Sequence, residues 1–195
     1  MANLERGQLR MRKNHEWKSK PGYQIFVVNR GEVRFDYPRD WVFVPPKSIL
    51  EPYKFHDKKP PDDDCILQLT IFHAPPESDW TGLPIDELML SITDHDSDES
   101  PDMVRGEVHF EKRKHFDIAW REGRYTDTKE NRLAITRSCI ARDKVVVPLF
   151  TLDFWVDDLD RVSPIWDEMI RSLRLGDMVQ DPRTGRVNRL DARGN

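Results

Sequence analysis

The residues with most chemical potential lie in the run Asp94-His95-Asp96-Ser97-Asp98-Glu99-Ser100-Pro101-Asp102. Asp94, Asp96 and Asp98 stand at alternate positions, the spacing with which a calcium loop converges oxygen ligands on one hard cation. The sixth position is Glu99 where such a loop turns on glycine, and the twelfth is Arg105 where it closes on a bidentate glutamate. Two readings follow: a metal site for a metal-dependent protein or enzyme, or a solvated acidic loop, the usual state of a charge run. Asp62-Asp63-Asp64 is a weaker cluster of the same kind. The six histidines (15, 56, 73, 95, 109 and 115) make no H-x-x-x-H pair. His73 suits a hydrogen-bonded structural role at a strand end. Cys65 and Cys139 lie far apart, match no metal spacing and read as reduced, apolar strand fillers. There is no G-x-S-x-G, P-loop or G-x-G-x-x-G. These residues name no catalytic group and call for no cofactor.

Basic residues form a second set. Arg6, Arg10, Arg12, Lys13, Lys18 and Lys20 crowd the first twenty positions, with Trp17 as a stacking surface. Lys112, Arg113, Lys114, Arg121, Arg124, Arg132 and Arg142 come from a region of successive strands, where they either form a positive stripe or pair across strands with Glu111, Asp117 and Glu122. Arg121, Arg124, Arg132 and Arg137 are the expected partner-binding residues, projecting from neighbouring strands toward an acidic protein surface.

The net charge of −4 is uneven: residues 1–22 carry +4 and residues 177–195 carry +1, which leaves −9 for the body between them. An acidic body argues against nucleic acid, whose binding needs a basic face to release counterions. At 195 residues, with 37% hydrophobic and 34% charged, the chain suits one core with long polar loops. No apolar run reaches the roughly 20 residues of a membrane helix, and Met1 to Lys20 lacks the apolar centre of a secretory signal. The expected location is the cytoplasm.

The elements that must position these groups follow from periodicity. Tyr23–Val28 reads as an edge strand. Residues 33–44 read as a hairpin turning at Pro38-Arg39-Asp40 and stopped by Pro45-Pro46. A long loop over 45–64 leads to Cys65–His73, apolar on both faces and so a central strand. Pro84 opens a short helix carrying Ile85, Leu88, Met89 and Ile92 at helical spacing. Residues 116–121, 133–141 and 145–156 alternate as an antiparallel meander. Ser163-Pro164 is placed in the first turn of a last helix with the stripe Ile165, Trp166, Met169, Ile170 and Leu173, and Gly176 is placed to cap it. The fold class is therefore α+β, an antiparallel sheet flanked by helices.

Phe35-Asp36-Tyr37-Pro38-Arg39-Asp40-Trp41 near the start and Ile170-Arg171-Ser172-Leu173-Arg174-Leu175 near the end resemble the bracketing motifs of the Mog/PsbP-like superfamily, over about residues 33–175. The small Ser172 can face a neighbouring strand while Leu173 and Leu175 seal the layer. The resemblance implies an α/β/α sandwich used for binding. Its members include a partner of a nuclear-transport GTPase, an extrinsic photosystem subunit, bacterial lipoproteins and small chaperones, and they share no catalytic residue. The expected organisation is a flexible basic arm over 1–22, the domain over 23–176 and a flexible polar tail over 177–195. The expected function is a non-enzymatic protein-binding, adaptor or chaperone-like module, with self-association as a homodimer left open.

Overall fold

The computed structural model describes residues 12–13, 15–48, 50–73, 75, 79–95 and 102–189. Two helices flank a large antiparallel sheet. The strands are β1 (Tyr23–Val28), β2 (Val33–Pro38), β3 (Val42–Val44), β4 (Tyr53–His56), β5 (Cys65–His73), β6 (Val104–Arg105), β7 (His109–Lys112), β8 (Asp117–Asp127), β9 (Arg132–Arg142), β10 (Val146–Trp155), β11 (Arg174–Leu175), β12 (Asp177–Asp181) and β13 (Arg186–Arg189). Helix α1 is Ile85–His95 and α2 is Leu159–Ser172. The large sheet runs β3-β4-β5-β10-β9-β8-β6, with β7 also on β8, and a smaller sheet runs β1-β2-β11.

Alternation along the central strands makes two apolar faces. On the inner face Leu67, Leu69, Ile118, Ile135, Phe150, Leu152 and Phe154 meet Val162, Trp166, Met169 and Leu173 of α2 and its C-terminal edge. The small sheet closes this side through aromatic rings. Phe35 of β2 stands 5.5 Å from Phe55 and 5.4 Å from Phe150, both edge-on, and Phe26 of β1 stands 5.0 Å from Phe55. The outer face is thinner: Ile85 and Met89 of α1 pack on Ala119, Ile140 and Val147. The expected α+β class and α/β/α layering are therefore present.

Several expected boundaries move. Residues 33–44 are no hairpin: β2 pairs with β1 and β11, whereas β3 pairs with β4 in the other sheet. Trp41, 6% exposed, anchors the crossing between the sheets. The 45–64 loop contains β4, which pairs with β5 from Tyr53↔Leu69 to His56↔Ile66. Helix α2 starts a turn earlier than Ser163-Pro164, behind Asp157 and Asp158, whose charges suit a helix N-terminus. Gly176, at φ 68°, follows β11 instead of capping a helix, and its N–H donates to the Glu32 carbonyl. Of the expected core, Trp41, Phe35, Phe154, Trp166 and Leu173 are buried, while Trp120 is only partly so and meets Trp166 edge-on at 6.1 Å.

The two segments expected to be flexible meet each other. β12 and β13 form a hairpin over 177–189, and the Arg12 and Glu16 amides donate to the carbonyls of Arg183 and Thr184, both at 2.9 Å. Trp17 lies on Gly185 and beneath the Arg34 guanidinium, 4.4 Å from its ring. Gly31 holds φ 112°, and a Cβ there would stand 3.0 Å from the Asp177 carbonyl oxygen, so glycine is what lets the hairpin approach. Residues 1–11 and 190–195 lie outside the described residues.

The two bracketing motifs are bonded to one another: the Asp36 amide donates to Ser172 Oγ at 2.8 Å, and Ser172 Oγ donates to the Met169 carbonyl at 3.2 Å. Burial pushes the Asp36 carboxyl above its ordinary range, aided by the neighbouring Glu168 charge and opposed by the Lys20 amide, Arg171 and Arg34.

Trp166→Ala should cost about 3–5 kcal/mol, the range for deleting a buried aromatic, measured by denaturant unfolding. For Asp36, a folded pKa above the unfolded value means folding favours the protonated acid. The stability it lends below 3.8 is lost as pH rises through the raised folded value. Asp36→Asn should therefore gain on the wild type between about pH 3.5 and pH 6. A melting-temperature difference that stays constant over that interval would show that Asp36 does not carry this linkage.

Candidate functional site

Helix α1 has 11 residues, about 16 Å at 1.5 Å per residue, too short to cover the outer sheet face. It lies over the lateral row Thr70, Leu149, Ile140 and Ala119, read across β5, β10, β9 and β8. The next row on that face is Gln68, Thr151, Ser138 and Arg121, and the one after it Ile66, Asp153, Thr136 and Gly123. Beyond these, Trp155 and Tyr125 flank Ala134. The face changes from apolar under the helix to hydroxyl, amide and carboxylate where the helix ends.

These rows floor a trough of about 510 Å³. A smaller hollow of about 180 Å³ adjoins it, sharing Tyr125, Asp127 and Asp153 and adding Asp63, Asp64 and Trp155. Gly123 shapes one wall: an ideal Cβ there would stand 3.3 Å from Met103 Sδ and 3.2 Å from Thr136 Cγ2, so its absence lets Met103 lie down on the sheet. Ser138 is 5% exposed, its hydroxyl opens into the trough, and it makes no side-chain hydrogen bond among the described residues. Buried hydroxyls are normally satisfied, so this floor is built to bond whatever enters. Burial pushes the Tyr125 phenol up, with the Asp153 and Asp127 charges adding to the effect.

The four arginines expected as a docking surface are brought to β8 and β9, yet each engages a carboxylate. Arg121 clamps the end of α1: it donates to the Gly106 carbonyl at 2.7 Å, and to Thr93 Oγ and Asp94 Oδ1 at 3.0 Å each. A cation there also suits the negative end of the helix dipole. Arg124 and Arg137 share Glu122, at 3.0 and 2.9 Å. Arg137, 8% exposed, also donates to Ser163 Oγ and covers the Phe154 ring. Arg132 pairs with Asp157 at 3.0 Å and lies 4.7 Å over Trp155. In place of one exposed cationic stripe, the structure shows cross-strand, helix-clamping and loop-holding pairs. The cause is register: Glu122 faces Arg137 directly, and Arg121 projects on the face that α1 covers.

Of the expected metal ligands, Asp96 and Asp98 lie outside the described residues. Asp94 is held by Arg121 and lies 3.9 Å from Arg105, which leaves its charge already matched. Among the described residues no group of three His, Cys, Asp or Glu side chains is placed to hold a metal. Asp62-Asp63-Asp64 resolves into local pairs, Asp63 with His56 at 2.8 Å and Asp64 with Lys58. His73 Nε2 bonds Glu32 at 2.8 Å, a structural tie. Cys65 and Cys139 are free, buried thiols, and burial pushes both well above the ordinary thiol range. The trough itself was missed by the sequence reading. Its signal is the set of short polar residues at alternate positions of β5, β9 and β10.

An antiparallel sheet with one helix on each face and these bracketing motifs defines the Mog/PsbP-like fold. The solution structure of cyanobacterial PsbP from Synechocystis sp. PCC 6803 superposes with a TM-score of 0.59 at 18% identity, over 80% of this chain and 94% of that one. LpqN, involved in cell envelope biogenesis of Mycobacterium tuberculosis, superposes at 0.51 with 12% identity, over 77% of this chain and 88% of its own. The Alr1449 family model matches residues 24–179, and the chain belongs to that family. The uncharacterized protein alr1449 of Nostoc sp. (strain PCC 7120) is 40% identical over 179 residues, 91% of this chain and 90% of that one. Among the described residues no helix is long and apolar enough to cross a membrane.

Arg137→Ala should cost about 1.5–3 kcal/mol, the range for hydrogen bonds to charged groups, because Glu122 and Ser163 lose a buried donor. Chemical denaturation measures it. A loss below about 0.5 kcal/mol, the scale of ordinary surface substitutions, would return Arg137 to the surface set.

Proposed function

We propose that this chain is a non-enzymatic binding module, adaptor- or chaperone-like, that receives an extended segment of another protein in the trough on its outer sheet face. The observation that carries the reading is the floor of Gln68, Thr136, Ser138 and Thr151, polar side chains gathered on adjacent central strands where the helix stops. The trough volume lies in the range of about 300–1,000 Å³ usual for ligand sites, yet those sites are mostly apolar. A polar, open floor fits a peptide better than a small apolar ligand, since it matches main-chain and side-chain hydrogen bonding together. An acid-surfaced partner docked on the meander arginines is less favoured, because their charges are already matched. A cytoplasmic setting accords with two buried thiols that form no disulfide.

Peptide phage display against the wild type, counter-screened with Thr151→Trp, tests this reading. The indole should fill the trough from a solvent-facing strand position and leave the melting temperature within a few degrees. Enriched peptides should bind the wild type and lose at least about tenfold in affinity on the filled variant, a difference of about 1.4 kcal/mol. Peptides that bind both proteins equally, or no enrichment at all, would count against the trough as the binding surface.

A further inference from the structure

We infer, resting on the trough reading, that the segment received there is basic, an extended stretch presenting an Arg or Lys side chain to the end of the trough where Asp127 and Asp153 meet Tyr125 and Trp155. Three observations lead to this class of partner. First, Asp63, Asp64, Asp127 and Asp153 line the trough and its adjoining hollow, against one lysine, Lys129. Asp63 and Asp64 already hold His56 and Lys58, so the carboxylates that matter are the deeper pair on β8 and β10. Asp127 accepts the Lys129 and Glu130 amides through Oδ1 alone. The rise of the Tyr125 phenol, caused first by burial and then by Asp153 and Asp127, places that ring in the negative field of both.

Second, the hollow joins carboxylates to aromatic and aliphatic walls, Tyr125, Trp155, Ile66 and Ala134. A guanidinium or ammonium has such needs: an apolar stem to cover, a ring face to lie on and carboxylates to pair with. The protein already uses this chemistry at the rim, where Arg132 lies over Trp155 and pairs with Asp157. Third, the Ser138 hydroxyl, almost fully buried, opens into the trough beside the carboxylate end and has no side-chain partner among the described residues. It is an acceptor and donor waiting for a polar group of the same incoming segment. The −9 charge of the body would speed encounter with a basic chain and repel an acidic one.

The test is an NMR titration of the full-length ¹⁵N-labelled protein with acetyl-Gly-Arg-Gly-amide, its neutral isostere acetyl-Gly-citrulline-Gly-amide, and acetyl-Gly-Glu-Gly-amide. The arginine peptide should shift the amides of Tyr125, Ser138 and Thr151 and saturate in the millimolar range. Citrulline and glutamate should bind at least roughly tenfold more weakly, and Asp153→Asn should weaken the arginine peptide by a similar factor. Because the citrulline arm uses the wild type, the comparison stands even if the variant folds poorly. If citrulline or glutamate shifts the same amides as strongly as arginine does, the cationic class is overturned while the trough remains a binding surface. If none of the three peptides shifts trough amides and display enriches nothing that Thr151→Trp abolishes, the trough reading falls with it.

Discussion

The fold depends on one hydrogen bond between distant parts of the chain, from the Asp36 amide to the Ser172 hydroxyl. β11 is only two residues long and pairs with β2 at Val33 and Arg34. Two residues further along β2, the Asp36 amide points toward the same side but meets the end of a helix instead of a strand. A buried amide left without a partner costs about as much as a lost hydrogen bond. Ser172 Oγ supplies the acceptor, and its own proton is fixed on the Met169 carbonyl. That bond sets α2 against β2. Phe35, one residue away, then reaches Phe55 and Phe150 and binds the small sheet to the large one. With α2 and the small sheet both spent on the inner face, the outer face is left to α1 alone, and α1 is too short to cover it. The trough is a consequence of that division.

Charge is arranged around the same division. The meander is rich in arginine, but its registers spend each guanidinium locally: Glu122 serves Arg124 and Arg137, Asp94 serves Arg121, and Asp117 serves Arg142. Pairs of this kind, partly desolvated and fixed by further hydrogen bonds, organise the structure more than they project a field. What remains unbalanced toward the open face is carboxylate. The raised Tyr125 phenol reports that imbalance at the spot where β8 and β10 approach the edge of the trough.

Periodicity made the strongest elements legible. The stripe of Trp166, Met169 and Leu173 and the alternating face of Phe150, Leu152 and Phe154 specify burial almost without context, and the structure buries all six. Pairing partners were not legible in the same way. Val33, Phe35 and Tyr37 followed by a turn and Trp41 read as a hairpin, because alternation says which face is buried but not which strand lies alongside. The chain crosses instead from one sheet to the other at Trp41. The terminal hairpin had a local signal, Asp181-Pro182 to Gly185 between Val179 and Val187, but its strands are short and carry charge. Its support comes from Gly31 and Trp17, distant residues that no local pattern connects to it. The arginine set failed for a related reason: spacing placed the guanidinia on neighbouring strands, but only register reveals that Glu122 faces Arg137.

The trough also illustrates how a central strand can be read two ways. β5, β9 and β10 each carry apolar residues on the inner face, and in a layered fold both faces of a central strand normally need cover. Gln68, Thr136, Ser138, Thr151 and Asp153 break that rule together, on adjacent strands and on one face. Were this surface merely solvated, long charged side chains would be the common solution, and they cost more rotamer entropy to order than serine or threonine. Short hydroxyls lose little freedom when a second chain arrives, leave room for its backbone, and can both donate and accept. Gly123 extends the economy to the floor itself, where the missing Cβ lets Met103 form a wall without lifting the sheet. A surface of this composition, set beside two carboxylates and two aromatic rings, has the low ordering cost that distinguishes a place prepared for binding from one that only meets water.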